Sequence, residues 1–421
     1  MRVDFVLCYE FWQRELYALT LTRVRLEDMG YKIKILHISP DYNDFFEMYY
    51  YKPKVVVFPW VYSDMELERA TDFIGDCPKV VNMQCEQILS KRVLDNGFFS
   101  IRENARKIYH VSWGRNTTER FRKYGIDEDH ILEIGNINLE INKSKYDKYF
   151  ISKEELAHKF GLNINKKWFL FSSNFKFPNR SLGELANFEK RSAGVFRLTS
   201  EMIRSKKAIL NWIIKYLDEN DDIEIIYRPH PIENKDSYLL YIEKKYKNFH
   251  YIGDFTINQW VRVCERCSTW ISTAILDSIF INIPSAVLLP YPLLDIFRGD
   301  IDGICKEVRD YESFVCFIKE DNIRKINYSN VENKIKFKSE GIEEFVEKLI
   351  SVYKNDEKEK FEKQIKKEMK WKNTTINEKY KMFEYWLSKY INISKKNPCY
   401  VESYKIKKIE KKLYKMMKRF K

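Results

Sequence analysis

The run Arg228-Pro229-His230-Pro231 carries the strongest chemical signal in the chain. It directly follows residues 223–227, a continuous apolar run of the kind buried inside parallel sheets. In open parallel sheets, ligands bind beyond the carboxyl ends of the strands. A proline on each side stiffens the backbone around His230. A guanidinium beside an imidazole suits a phosphate or a diphosphate. The plainer alternative is a turn with a surface histidine, and the arginine and the two prolines weigh against it.

A second stretch, Thr269-Trp270-Ile271-Ser272-Thr273-Ala274, reads as a strand, then small hydroxyl residues, then a helix start. Ser272 or Thr273 is expected near the helix N-cap, where free backbone N–H groups and the helix dipole favour an anion. Simple capping would use the same residues. Taken with Arg228 and His230, this stretch predicts one phosphate pocket made at two neighbouring strand ends. Asp277, one turn further on, either contacts a ribose or is solvated.

In the first half of the chain, Glu10 follows the first strand-like run, and Gln84-Cys85-Glu86-Gln87 follows residues 79–83. Both carboxylates are expected on the carboxyl edge of a first sheet, facing a second domain across a cleft. A carboxylate there can act as general base for an acceptor hydroxyl; hydrogen bonding to loop backbone or an ion pair is the alternative. Arg14 either pairs with Glu10 or binds ligand. Asp221-Asp222 precedes a strand, at the wrong edge for such a site, and reads as a solvated turn. Cys264-Glu265-Arg266-Cys267 has the spacing of half a zinc site without a second half, on a segment, 258–267, read as helical. The eight cysteines are expected as free thiols.

The elements that must position these groups alternate strand and helix. Strand-like runs fall at 3–8, 32–38, 54–59, 79–83, 108–112 and 131–134, and a helix at 14–29 ends at Gly30. A polar stretch, 141–167, reads as a linker. A second α/β unit has strands at 168–172, 223–227, 249–252, 269–272 and 285–289, and helices at 205–217, 238–246 and 274–280. Its polar excursion, 174–200, reads as a lid or acceptor loop. Alternation of this kind implies doubly wound parallel sheets. The domains are therefore placed at 1–140 and 168–350, with a helical basic tail at 351–421.

The length of 421 residues and a 44% apolar content suit two ordinary cores. No run of 18 apolar residues exists, and the N-terminus enters a strand-like run directly, so a cytoplasmic protein is expected. The formal charge of +13 is uneven: residues 401–421 hold nine Lys/Arg and two Glu, a net of +7. Ile406, Ile409, Leu413, Met416, Met417 and Phe420 recur there at helical spacing. Residues 401–421 thus read as an amphipathic helix for an anionic membrane surface, on the inner face of the cell membrane. Residues 375–392 read as packing back on the first domain. No nucleic-acid module is visible.

The set Glu10…Arg14-Glu15-Leu16, Phe58-Pro59-Trp60, Asn82-Met83-Gln84-Cys85-Glu86-Gln87-Ile88-Leu89, Arg228-Pro229-His230-Pro231 and Ser272-Thr273 resembles the bacterial surface carbohydrate biosynthesis protein family, over roughly residues 1–310. That family is similar to GT-B glycosyltransferases and to the CDP-glycerol glycerophosphotransferases of teichoic-acid synthesis. It also resembles the GT-B sialyl- and Kdo-transferases, whose His-Pro and Ser-Ser/Thr motifs hold the cytidine monophosphate of the donor. The resemblance implies a GT-B-like α/β fold with two Rossmann-like domains facing a cleft. It implies that His230 binds the donor phosphate with help from Ser272 and Thr273, that Glu86 is the favoured base, and that Glu10 is second. It further implies leaving-group stabilisation by side chains and a helix N-terminus, with no metal and no other cofactor. Asp277 departs from the pattern, standing where many GT-B enzymes carry Glu for the ribose, and no Gly-rich acceptor loop is obvious.

The sequence reading is a glycosyltransferase using a nucleotide-activated, CMP- or CDP-linked, sugar donor. The acceptor is a cell-surface polysaccharide or lipid-linked glycan, as in capsule or lipopolysaccharide synthesis. Donor binding is assigned to Arg228, His230, Pro231, Ser272, Thr273 and Asp277, acceptor binding to Arg14, Gln84 and Gln87, and catalysis to Glu86, Glu10 and His230. A CDP-polyol phosphotransferase and a non-catalytic binding subunit of a polysaccharide assembly complex are the alternatives.

Overall fold

The computed structural model describes residues 3–38, 51–71, 79–299, 303–320, 329–332, 335–336, 340–355 and 398–419. The chain divides into two compact units. The first is Met1–Gln87, Ser100–Ile141 and Asn333–Lys421, and the second is Ile88–Phe99 and Asn142–Glu332.

The first unit is built on a parallel six-stranded sheet: β1 (Phe5–Tyr9), β2 (Ile33–His37), β3 (Val55–Phe58), β4 (Lys79–Asn82), β5 (Tyr109–Ser112) and β6 (Ile131–Glu133). The Val- and Ile-rich runs that predict these strands are buried on both faces, as in β3, where Val55, Val56 and Val57 are all inaccessible. The spatial order is β2-β1-β3-β4-β5-β6, so the chain direction of growth reverses between β1 and β3. The helix Trp12–Asp28 follows β1, and Gly30 takes the positive φ that ends it.

The second unit holds β7 (Lys167–Ser172), β8 (Ile223–Arg228), β9 (Phe249–Tyr251), β10 (Arg266–Thr269), β11 (Ser285–Leu288) and β12 (Lys306–Val308), in the parallel order β12-β11-β10-β7-β8-β9. The reversal here lies between β7 and β10. The register sets Ser172 beside both Arg228 and Thr269, so the carboxyl ends of β8, β7 and β10 are level. An aromatic core with Phe169, Phe171, Tyr216, Tyr227 and Phe314 holds the sheet to its helices. Each such side chain contributes about 1.5–3 kcal/mol by burial.

Four expectations change. Of the stretch 141–167, read as a linker, all but Ile141 packs as part of the second unit: Ser152 and Glu155 form a capping box for the helix Lys153–Phe160, and Leu156 joins Trp168, Leu170 and Trp260 in a buried cluster. The excursion 174–200 contains the helix Leu182–Arg191, with its own Ser181/Glu184 capping box, and the start of the 25-residue helix Val195–Glu219. β10 lies three residues earlier than expected, so Cys264 and Cys267 do not share a helix. Both are free and buried, and burial pushes both thiols up, Cys267 to about 12, against metal ligation. Lastly, the tail helix Pro398–Arg419 packs on the helix Trp12–Asp28. Ile406, Leu413 and Met417 are buried there, Arg23 stands 4.1 Å over the Tyr414 ring and 3.5 Å from Glu410, and the Tyr414 hydroxyl donates to Glu27. Three residues of the apolar face expected to meet lipid are thus covered by protein, while Ile409 and Met416 are half-buried. Phe420 and 375–392 lie outside the described residues. Among the described residues no helix is long and apolar enough to cross a membrane.

Candidate functional site

Each sheet has its own switch point, and in doubly wound sheets that is where ligands bind. In the second unit the switch lies at the ends of β7 and β10, with β8 alongside. Arg228 closes β8 and is buried. Burial lowers its pKa to about 10, against the pull of Asp277, so it remains cationic at neutral pH. Its Nη2 donates to the Phe255 carbonyl at 3.1 Å, while its Nε has no partner among the described residues.

His230 sits in a braced turn. Its Nδ1 accepts from the Ile232 N–H at 3.3 Å, which leaves the proton of the neutral ring on Nε2. Its backbone N–H donates to Glu233 at 3.3 Å, and the Glu233 N–H donates back to the His230 carbonyl at 2.8 Å. The Glu233 carboxylate is fully enclosed and accepts from the Ser173 hydroxyl at 2.5 Å and the Tyr227 hydroxyl at 2.7 Å, with Lys206 Nζ at 3.2 Å. Glu233 therefore anchors the whole Arg-Pro-His-Pro turn. Sequence reasoning missed it. The available signal was a carboxylate three residues after His230 and a lysine set within an apolar helix.

The loop after β7 joins this turn to the end of β10. The Ser173 N–H donates to the Arg228 carbonyl at 2.8 Å, and the Asn174 side-chain amide donates to the Ile271 carbonyl. β7 thus stands between the strands carrying Arg228 and Ser272, which are not neighbours as expected. The Ser272 Oγ accepts from the Ala274 N–H at 3.3 Å. The helix that follows, Ile275–Phe280, has six residues and no side-chain cap, so the dipole expected there is short, and Ser272 and Thr273 bring hydroxyls rather than a helix terminus. Pro231 is exposed at the outside of its turn. Asp277 is not solvated, and its Oδ1 is occupied. It is buried, its Oδ1 accepts from Asn142 and Asn258 at 2.8 Å each, and burial raises its pKa to about 7.

In the first unit the switch lies at the ends of β1 and β3, beside β4. Arg14 is shared by three carboxylates: Glu86 at 2.6 Å, Glu15 at 2.7 Å and Glu10 at 3.7 Å. Glu15 is buried and also accepts the Glu10 N–H at 2.7 Å. It is a second brace that sequence reasoning did not assign. Burial first, then the neighbouring Glu15, push Glu10 up to about 7, with Arg14 and the Trp60 side chain opposing. Glu86 is 41% exposed.

The turn between Glu86 and β4 is set by Asn82. Its Oδ1 accepts from the N–H groups of Val61 at 3.1 Å and Gln84 at 3.0 Å, and its Nδ2 donates to the Val61 carbonyl at 2.9 Å and meets His110 Nδ1 at 3.2 Å. His110 Nε2 reaches the Ala105 carbonyl at 2.8 Å, and burial holds the ring near a pKa of about 3, hence neutral. Gln84 takes a left-handed φ of +41°, a strain of about 1–3 kcal/mol for a residue other than glycine. Its side chain is 0% exposed, and neither amide atom has a hydrogen-bond partner among the described residues. Gln87 is committed to backbone: it donates to the Val111 carbonyl at 2.8 Å and the Met83 carbonyl at 3.2 Å, and accepts from the Trp113 N–H at 2.8 Å.

Among the described residues, one group has metal-ligand spacing: Asp127, Asp129 and His130, at the amino end of β6 and so at the edge opposite the switch point. Both aspartates are exposed.

No family model matches the chain, and no curated protein sequence does either. Solved structures do match. A UDP-GlcNAc 2-epimerase from Neisseria meningitidis, bound to UDP-GlcNAc, aligns with a TM-score of 0.53 and 12% identity, covering 83% of this chain and 100% of that one. The S. aureus MnaA–UDP co-structure aligns with a TM-score of 0.52 and 13% identity, covering 84% and 97%. The fold is GT-B-like. At these identities the likeness speaks for the fold alone. The wall teichoic acid polymerase TagF, at a TM-score of 0.46 and 12% identity over 87% of this chain and 88% of that one, is too distant to argue from.

Proposed function

We propose that the chain is a transferase that moves a sugar from a nucleotide-activated donor to a surface-glycan acceptor. The observation that carries this reading is the level row of strand ends in the second unit. There Arg228, with an unpartnered buried Nε–H, and His230, with its Nε2–H, stand with Ser272 and Thr273 at the sheet's switch point. Such a set of donors suits the phosphates of a nucleotide. The GT-B-like fold, shared with structures bound to UDP and UDP-GlcNAc, supports the choice of ligand class. A cytidine donor is the form favoured by the family resemblance, and in this reading the chain acts on it in the cytoplasm.

The first unit supplies the base. Glu86 is engaged by Arg14 at 2.6 Å, which occupies a carboxylate oxygen that a base would use. Glu10 sits farther from that cation, with its pKa near 7, where a general base is most effective. Glu10 is therefore the base in this reading, and Glu86 holds Arg14. The acceptor hydroxyl gives its proton to Glu10 and forms the new bond to the sugar carbon. The bond from that carbon to the donor phosphate breaks, and its electron pair goes to the phosphate, which Arg228 and His230 stabilise. Attack at phosphorus instead would make the chain a polyol phosphotransferase.

The test is incubation with CMP-, CDP- and UDP-linked donors and a lipid-linked glycan acceptor, followed by phosphorus NMR and mass spectrometry. A glycosylated acceptor with free nucleotide is expected. A phosphodiester product would favour phosphoryl transfer, and binding without turnover a non-catalytic role. A sugar nucleotide epimerised without transfer would overturn the reading.

A further inference from the structure

We propose that the tail helix Pro398–Arg419 is an electrostatic docking surface for an anionic bilayer, working through the face opposite the one first expected to meet lipid. The helix has two unlike sides. Ile406, Leu413 and Met417 are buried, and the helix packs on Trp12–Asp28. Lys408, Lys411, Lys412, Lys415 and Arg419 are all exposed. Helical geometry sets these five within an arc of about 100°, on the side away from the buried three. They form a single row about 16 Å long.

The acids are sorted to the other side. Glu410 meets Arg23 at 3.5 Å. Glu27, on the supporting helix, accepts from Arg23 at 2.8 Å and from Tyr414, and lies 3.3 Å from Lys418. Among the described residues, none of the five outward cations has an ion-pair partner. Other helices of the chain are laced differently. Arg115 pairs with Glu119, and Arg204 with Glu201, each within one turn. On the tail helix the same spacings of three and four residues set lysine against lysine. Like charges so placed repel and weaken the helix that carries them. An anionic surface outside the molecule relieves that repulsion.

The composition of the row selects the surface. Proteins that hold nucleic acids add aromatic rings for stacking, or arginine forks for bases and phosphates. Here four of five cations are lysines, point charges on flexible stems, and the row holds no aromatic ring. Such a row suits the diffuse negative charge of lipid headgroups, to which each cation adds attraction. With its buried residues already engaged by protein, the helix lies along the bilayer, held by charge and not by insertion. The proposal does not depend on the transferase reading.

The test is co-sedimentation of the full-length protein with vesicles of phosphatidylcholine alone, and of phosphatidylcholine mixed equally with phosphatidylglycerol. Binding to the mixed vesicles only is expected. It should fall tenfold or more in about 1 M sodium chloride, where the screening length is about 3 Å. Lys408→Gln, Lys411→Gln, Lys412→Gln and Lys415→Gln, combined, should reduce it tenfold or more, with the melting temperature equal or raised. If that variant is unstable, Lys411→Gln with Lys415→Gln should show a smaller loss in the same direction. Removing four exposed lysines elsewhere, by Lys123→Gln, Lys190→Gln, Lys244→Gln and Lys247→Gln, should change binding by less than about twofold. Binding that survives high salt, equal losses in the two fourfold variants, or no binding to the mixed vesicles overturns the proposal. So does a wild type that retains a duplex oligonucleotide and ignores the vesicles.

Discussion

The two units share one device, a reversal of strand order in a parallel sheet, and differ in the electrostatics at that point. Each places its candidate site residues where the strand order reverses, between β1 and β3 in one and between β7 and β10 in the other. At the first switch point three carboxylates surround one guanidinium, and burial first, then the neighbouring carboxylates, push the Glu10 pKa up. At the second, the carboxylates are turned inward as braces. Glu233 holds the His230 turn and Asp277 is held by Asn142 and Asn258, which leaves Arg228 and His230 to set the character of the site. Topology decides where a site forms. Whether its carboxylates act as bases or as scaffolding is decided by which donors the fold brings to them.

The sharpest way to break this comparison is at Glu10. Glu10→Gln should lower kcat by about 10²–10⁴-fold, the usual contribution of a positioned general base, while leaving nucleotide binding intact. Wild-type kcat/KM should rise as pH approaches about 7 and then level, because the base must be ionised and burial holds its proton to that pH. Glu86→Gln should move this limb to lower pH, since Glu86 is one of the charges that raise Glu10. A larger loss in Glu86→Gln than in Glu10→Gln would return the role of base to Glu86.

A smaller effect is expected from the scaffolding carboxylate. Glu233→Ala leaves the Ser173 hydroxyl without its acceptor, leaves the Tyr227 hydroxyl only the Ser173 Oγ at 2.9 Å, and removes one carboxylate from Lys206. It should cost about 3 kcal/mol in chemical denaturation, the low end for breaking a buried pair, because Lys206 keeps Asp236 at 2.7 Å. Stability unchanged in Glu233→Ala would remove the distinction between acting and bracing carboxylates.

Much of the fold was legible in the sequence because strands buried on both faces announce themselves as Val, Ile and Leu runs, as in 54–59 and 223–227. β10 was misplaced because Cys267-Ser268-Thr269 is small and polar, buried by its pairing to β7 and β11 rather than by hydrophobicity, while Trp270-Ile271 beyond it looks more strand-like. The helix Leu182–Arg191 was hidden in a polar stretch, although its Ser181…Glu184 signature was present. The places of Arg228, His230, Glu10 and Arg14 beside the two switch points were legible from residue type and from the strands before them. Glu15 and Glu233 were not. Their meaning depends on donors distant in sequence, Lys206 and Ser173 for Glu233, and on an Arg14 whose reach to Glu86 spans 72 residues.

The account rests on the second unit holding a nucleotide phosphate with His230. Calorimetric titration of CMP, CDP and UDP into wild type and into His230→Ala measures this directly. Binding of at least one nucleotide to wild type, weakened tenfold or more in a His230→Ala variant of unchanged melting temperature, is the predicted result. Equal affinity in the two proteins, or no nucleotide binding by wild type, would contradict it.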